Sequence, residues 1–234
     1  MKVVRFTLEG SMNSFRIPQT SVYQLTYLAP TKTQIVGMLS SIMGKDETDY
    51  YDLLRKLNVG IIPKTIDSLF TDYWTFRKLK SSKRAKGGRA VLRREKLYKT
   101  IYIIYVAAED TLISEIVNSL KIPKRIPSLG LDDELVLIKN VKEIKMEKEE
   151  KNVVHSIFRF EEGMVFIPKI SAILGMQIFP PRIVTTNLEF DNNVIPRKPI
   201  NFVQIVEFAG MYCELGSEKI LYVDQEENCN VDML

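Results

Sequence analysis

The chain has 234 residues, of which 45% are apolar and 26% charged, with a formal net charge of +4. This length can bury one large core or two small ones, and the composition excludes collagen, a coiled coil and a disordered polymer. Two cysteines are too few for a disulfide framework, and one histidine without CxxC spacing makes a zinc site a poor reading.

No apolar run approaches the roughly 18 residues of a membrane span. The opening MKVVRFTLEG alternates like a strand and lacks a signal peptide's apolar stretch. The expectation is a cytoplasmic protein without metal or cofactor. The modest net charge hides an uneven distribution. Residues 1–100 hold 19 Lys and Arg against 8 Asp and Glu, a balance of +11, whereas residues 101–234 hold 14 against 21, a balance of −7. Such asymmetry points to a polyanion partner for the N-terminal half, nucleic acid or a membrane surface.

In chain order, residues 2–9 read as a half-buried strand and GSMNS as a loop. From Thr31, apolar Ile35, Met38, Leu39 and Ile42 recur at helical spacing, with Ala29-Pro30 before them and Gly44 after. A second helical pattern runs from about Asp46 to Leu57, and VGIIPKTIDSLFTDYWTFRKL follows as a β-rich segment. Next come a basic segment, the strand-like LYKTIYIIYVAA, and a helix over 111–121 with Thr111 as a candidate N-cap. After the Pro/Gly punctuation of IPKRIPSLG, ELVLIKNVKEIKM reads as a strand. The order β, α, β, β, α, β matches an α+β, ferredoxin-like split βαβ plan, with helices on one face of a sheet and the other face open. EKEEKN reads as a charged linker, residues 152–234 as a β-rich extension, and DQEENCNVDML as a frayed end.

The basic segment is the sharpest feature. Arg77 to Lys99 holds eleven Lys and Arg and one acid, Glu95. A generic charge run only solvates a surface. Here it lies between two strand patterns with Gly87-Gly88 in its middle, which predicts a hairpin or finger projecting from the sheet. Its arginines, Arg77, Arg84, Arg89, Arg93 and Arg94, suit two-point phosphate contacts and stacking on bases. Ala90, Val91 and Leu92 are a meagre membrane anchor, so nucleic acid is the better partner and no membrane is expected.

A second phosphate site is expected where Thr31, Lys32 and Thr33 meet the unpaired amides of a helical first turn, with simple capping as the alternative. Phe15, Tyr23, Tyr27, Tyr73, Trp74 and Phe76 lie in the basic half as candidate stacking surfaces or core residues. Metal-free RNA cleavage needs a base and an acid, and the residues to consider are His155, Tyr23 or Tyr27, and Lys32. His155 lies outside the basic half in VVHSIFRF, where a structural role is the simpler reading. Asp132-Asp133-Glu134 reads as a polar turn, because three adjacent acids do not all face one ion.

The order of a first strand, GSMNSFRIP and SVYQLTYLAPTKTQIVGMLSSIMG resembles the N-terminal signature of CRISPR-associated protein family five. REKLYKTIYIIYV and IPSLGLDDELVLI, with Pro127, Leu129 and Gly130, extend the likeness to about residue 145. The resemblance implies a ferredoxin-like, RAMP-type domain over 1–147, with a thumb inserted at about 80–96 and a β-rich extension over 152–234. It implies a non-catalytic subunit of a type I Cascade complex that holds the crRNA 5′ handle and meets the backbone and large subunits. Contact with target DNA near the PAM stays open. By position, Gly10, Ser11 and Arg16 match the family's loop after the first strand, and Thr31, Lys32, Thr33 and Gln34 match the start of its first helix. Lys83, Arg84, Lys86, Arg89, Arg93 and Arg94 match its thumb. The type I-C branch processes precursor RNA itself with a tyrosine, a lysine and a histidine. Here that alternative rests on His155, Tyr23 and Lys32, while lysine and isoleucine usage leans toward the I-A or I-B branches.

Overall fold

The computed structural model describes residues 2–20, 22–78, 88–171 and 177–234. The chain runs β1 (Lys2–Asn13), β2 (Tyr23–Gln24), α1 (Lys32–Met43), α2 (Glu47–Lys56), β3 (Asn58–Lys78), β4 (Gly88–Ala107), α3 (Asp110–Lys121) and β5 (Val136–Lys145). It continues through β6 (Glu147–Val154), β7 (Phe158–Arg159), β8 (Phe166–Ile170), β9 (Phe179–Asp191), β10 (Lys198–Ala209), β11 (Met211–Asp224) and β12 (Cys229–Val231). The fold is α+β.

The first sheet has the order β3-β4-β1-β5, every neighbour antiparallel, and short β2 runs parallel to β4 beyond the end of β1. Alternation along the strands sorts side chains to two faces. Val4, Phe6 and Leu8 join Tyr102, Ile104 and Val106 under α1 and α3, which contribute Ile35, Leu39 and Ile42, and Ile113 and Ile116. On the other face Val3, Ile103, Tyr105 and Ala107 meet Val231 and Met233. That face is therefore not wholly open. The C-terminal residues cover part of it, and Leu234 and Val59 exchange two backbone hydrogen bonds along the edge of β3.

The helices follow their local signals. Thr31 caps α1 by accepting from the Gln34 amide, and the Gln34 side chain accepts from the Thr31 amide, a capping box. Gly44 ends α1 at φ +71°, the left-handed region that glycine adopts without cost. Asp46 caps α2, with Glu47 and Asp49 in its first turn and Arg55 and Lys56 in its last, all matched to the helix dipole.

Several sequence expectations are corrected. GSMNS is not a loop: β1 continues to Asn13, because Gly10 leaves room for the Asn13 and Thr100 side chains to pack where a Cβ would stand. The N-cap of α3 is Glu109, not Thr111, and no side chain caps that end. EKEEKN is not a linker but lies within β6, where it pairs with β11, its charges alternating between exposed and partly buried positions. The acidic terminus is not frayed: β12 pairs with β11, and Val231 and Leu234 are buried. No helix among the described residues is long and apolar enough to cross a membrane.

The C-terminal strands form two further sheets, β7-β10-β9 and β12-β11-β6 with β8 beside β11. They also shape the segment before α1. Buried Glu207 of β10 accepts from the Leu28 amide at 2.8 Å and from Arg182 Nε at 2.7 Å, while Arg182 donates to the Thr26 carbonyl at 2.6 Å.

Candidate nucleic-acid interface

β3 and β4 pair without interruption from Ser68↔Tyr98 outward to Lys78↔Gly88, so they leave the body of the sheet as a two-stranded ribbon. Lys83, Arg84 and Lys86 lie outside the described residues. Period-two alternation gives the ribbon two unlike faces. Tyr73↔Arg93, Thr75↔Val91 and Arg77↔Arg89 share one face, and Arg77, Arg89 and Arg93 are exposed. Trp74↔Leu92 and Phe76↔Ala90 share the other, with Trp74 and Phe76 partly open to solvent. One face thus offers planar cations to phosphates and the opposite face offers aromatic rings.

Arg94 is not on the basic face, and the expectation that it contacts a ligand is corrected. Its side chain is 4% exposed. It lies on the aromatic face, where its guanidinium stacks over Trp74 at 4.8 Å and donates to Ser14 Oγ and to Glu134 Oε1, the latter at 3.1 Å. Lys96 Nζ, 3.5 Å from Glu134 and 3.7 Å from Asp72, completes the cluster, and the indole N–H of Trp74 donates to Asp72 at 2.9 Å. Glu134 accepts as well from the Ser14 amide at 2.8 Å and the Leu131 amide at 3.0 Å. The acidic turn at 132–134 therefore contains the hub that ties the ribbon's base to β1. Gly130, at φ +111°, lets this turn pass close to Ser14, whose carbonyl stands 2.6 Å from where a Cβ would be.

Beside α1, a cleft of about 740 Å³ opens between its first turn, the chain around 16–18 and 125–132, and strands β9 and β10. Arg16, Thr31, Thr33 and Gln34 border it. The threonine hydroxyls are nonetheless buried and hydrogen-bonded to each other at 2.9 Å, so capping occupies them first. Gly10 and Ser11 open instead on a separate, more apolar cavity that Pro123, Ile126 and Pro127 also border. Lys32 borders neither. Burial lowers the pKa of its ammonium, with the nearby Arg159 charge adding to the effect and Glu189 opposing it.

Arg125, Arg197, Tyr50 and Phe190 also border the cleft, and the sequence reading missed them. The Arg197 guanidinium stands 4.7 Å from the Phe190 ring centre and 5.5 Å from that of Tyr50. Both arginines occur in proline-bracketed basic turns, IPKRIP and IPRKP, a signal that the conspicuous charge of the ribbon overshadowed.

The stacking and cleavage candidates are scattered. Phe15 is fully buried, edge-on to Tyr102 at 5.9 Å, and cannot receive a base. Tyr27 is buried too; its hydroxyl donates to the Thr185 carbonyl at 2.6 Å, and burial, aided by Glu207, pushes its pKa up to about 12. Tyr23 is exposed at the ribbon's base, 3.0 Å from the Thr71 hydroxyl. His155 Nδ1 accepts from the Asn230 amide at 3.0 Å, and burial lowers the ring's pKa. No hydrogen bond among the described residues joins His155, Tyr23 and Lys32.

The chain matches a family model described as CRISPR-associated protein (Cas_Cas5) over residues 3–183. No curated protein matches it. Among solved structures it is similar to a CRISPR protein from Archaeoglobus fulgidus, with TM-score 0.60 and 12% identity over 99% of this chain and 98% of that one. It is also similar to a chain of a CRISPR RNA-guided surveillance complex, with TM-score 0.50 and 17% identity over 92% and 91%. A chain of a type III-B Cmr-beta complex bound to cognate target RNA and AMPPnP gives TM-score 0.50 and 13% identity over 92% and 86%. At these identities the likeness is one of fold. The match of the family model to more than half the sequence, on an α+β fold shared with CRISPR proteins, shows that the chain belongs to the CRISPR-associated Cas5 family.

Proposed function

We propose that the chain is the RNA-binding subunit that holds the crRNA 5′ handle and caps the backbone of a type I CRISPR effector complex, without cutting the RNA. Family membership supports a place in such a complex, and the surveillance-complex and target-RNA-bound relatives make RNA the natural polyanion. The observation that carries the reading is the ribbon's basic face, where exposed Arg77, Arg89 and Arg93 take part in no ion pair among the described residues. We read the strand order β3-β4-β1-β5 under α1 and α3 as the ferredoxin-like plan, with residues 1–147 as the RAMP-type domain and the ribbon as its thumb. In this reading the thumb reaches across the handle toward the adjoining backbone subunit. Trp74 and Phe76 replace Phe15 as the stacking surface, and Arg94 holds the thumb's base without touching RNA.

The test is a salt titration of handle RNA binding to the full chain and to Arg77→Ala/Arg89→Ala/Arg93→Ala. Three lost phosphate contacts lower the slope of log K against log salt by about 2, at about 0.7 per contact. An unchanged slope and affinity would remove the ribbon from the interface. Incubation of labelled repeat RNA with the protein in EDTA separates holding from cutting, and cleavage abolished by His155→Ala would overturn the non-catalytic reading.

A further inference from the structure

We infer that the cleft beside the first turn of α1 is a second contact for single-stranded RNA, distinct from the ribbon, in which Arg16, Arg125 and Arg197 receive backbone phosphates. This rests on the reading of the chain as an RNA-binding subunit and adds a site that the thumb does not supply. Arg197 is the anchor. Its guanidinium is flanked by Phe190 at 4.7 Å and Tyr50 at 5.5 Å and makes no ion pair among the described residues. A planar cation already oriented by two rings loses little freedom on binding, and its in-plane donors stay available for a phosphate. Arg16 and Arg125 border the same cleft, exposed and likewise without an acidic partner among the described residues.

None of the acids at the cleft forms an ion pair with these arginines among the described residues. Asp46 accepts from the Asp49 amide as the cap of α2, and Glu47 accepts from the Tyr51 hydroxyl at 3.0 Å. Asp132 is the third acid at the cleft, and Lys45, paired with Glu115, is a further cation there. A volume of about 740 Å³ falls within the range of roughly 300–1,000 Å³ typical of sites that enclose a small ligand. The cleft therefore has room to surround a nucleotide instead of merely touching it. Its far wall comes from β9, β10 and the turn between them, so the C-terminal part of the chain belongs to the binding surface. The Glu207–Arg182–Thr26 connections hold the two walls in register.

The experiment uses the full chain and a short labelled oligouridylate, with three variants measured by fluorescence anisotropy across a salt series. Arg16→Ala/Arg125→Ala/Arg197→Ala changes exposed side chains only and is expected to lower the salt slope by about 2. Arg197→Lys keeps the charge but not the fork between the rings, and is expected to weaken binding with the slope retained. If the cleft variant matches the wild type while the ribbon variant Arg77→Ala/Arg89→Ala/Arg93→Ala is weakened, this inference fails and the RNA-binding reading stands. If the wild-type chain binds no RNA, both fail. Displacement of the RNA by polyglutamate as readily as by unlabelled RNA would make the cleft a groove for an acidic protein segment and overturn the assignment.

Discussion

Replacing Glu134 with alanine should destabilise the protein more than any change on the exposed face of the ribbon. The carboxylate is 2% exposed and accepts from the Ser14 amide, the Ser14 hydroxyl, the Leu131 amide and Arg94, with Lys96 3.5 Å away. Truncation leaves buried Arg94 and Lys96 without their shared carboxylate, only Lys96 keeping an acid, Asp72, at 3.7 Å, and leaves two amides without an acceptor. Removing one member of a buried ion pair costs about 3–5 kcal/mol, a large part of the 5–15 kcal/mol that holds a typical domain together. For a chain of this size that corresponds to a fall in Tm of roughly 6–20 °C. Urea denaturation followed by circular dichroism gives the free energy, and Glu134→Gln should fall between wild type and alanine because it keeps shape and one acceptor oxygen. Pairing Glu134→Leu with Arg94→Met should recover part of the loss, since the uncompensated Arg94 charge is removed while Lys96 and the two amides stay without Glu134. A Glu134→Ala protein within about 0.5 kcal/mol of wild type, the range of ordinary surface substitutions, would refute the argument that this cluster fastens the ribbon's base.

Thr31→Ala removes the cap of α1 and should cost about 1 kcal/mol in urea denaturation; because capping already occupies the hydroxyl, the salt slope of RNA binding should not change. His155 makes a pH prediction. Its folded-state pKa lies below the ordinary value near 6.5, so its stabilising effect is present above that value and is lost as pH falls through the folded pKa. Stability should therefore decline on going from pH 7 toward 5 by at most about 1.4 kcal/mol per pH unit for this one group. Glu207, raised chiefly by burial, acts in the opposite sense, but it does so equally in His155→Gln. The difference between the two proteins isolates the histidine, and parallel pH profiles would contradict the assignment.

How far the sequence reveals these features depends on the range of the interaction concerned. The ends of α1 are local: Thr31, Gln34 and Gly44 lie within or beside the helix they bound, and the apolar spacing of Ile35, Met38, Leu39 and Ile42 is read directly. The ribbon is also legible, because two strand patterns flank Gly87-Gly88. Which arginines face a ligand is not visible from charge alone. Alternation places Arg89 and Arg93 on one face and Arg94 and Lys96 on the other, and the partner that buries Arg94 stands 40 positions away. The cleft is further still from local signals, since its walls bring together residues around 16, 31, 125 and 197. EKEEKN looked like a linker because each of its charges is soluble by itself. Its pairing with β11, some 70 residues on, is a tertiary decision that local composition does not announce.

The most direct test of the central claim is to purify the protein with its bound partners from cells that express a CRISPR array and to sequence the 5′ ends of the RNA it retains. The account predicts short RNAs that begin at one fixed position within the repeat, lost selectively when Arg77, Arg89 and Arg93 are alanine. RNA with random cellular 5′ ends, or a complex free of RNA, would contradict it.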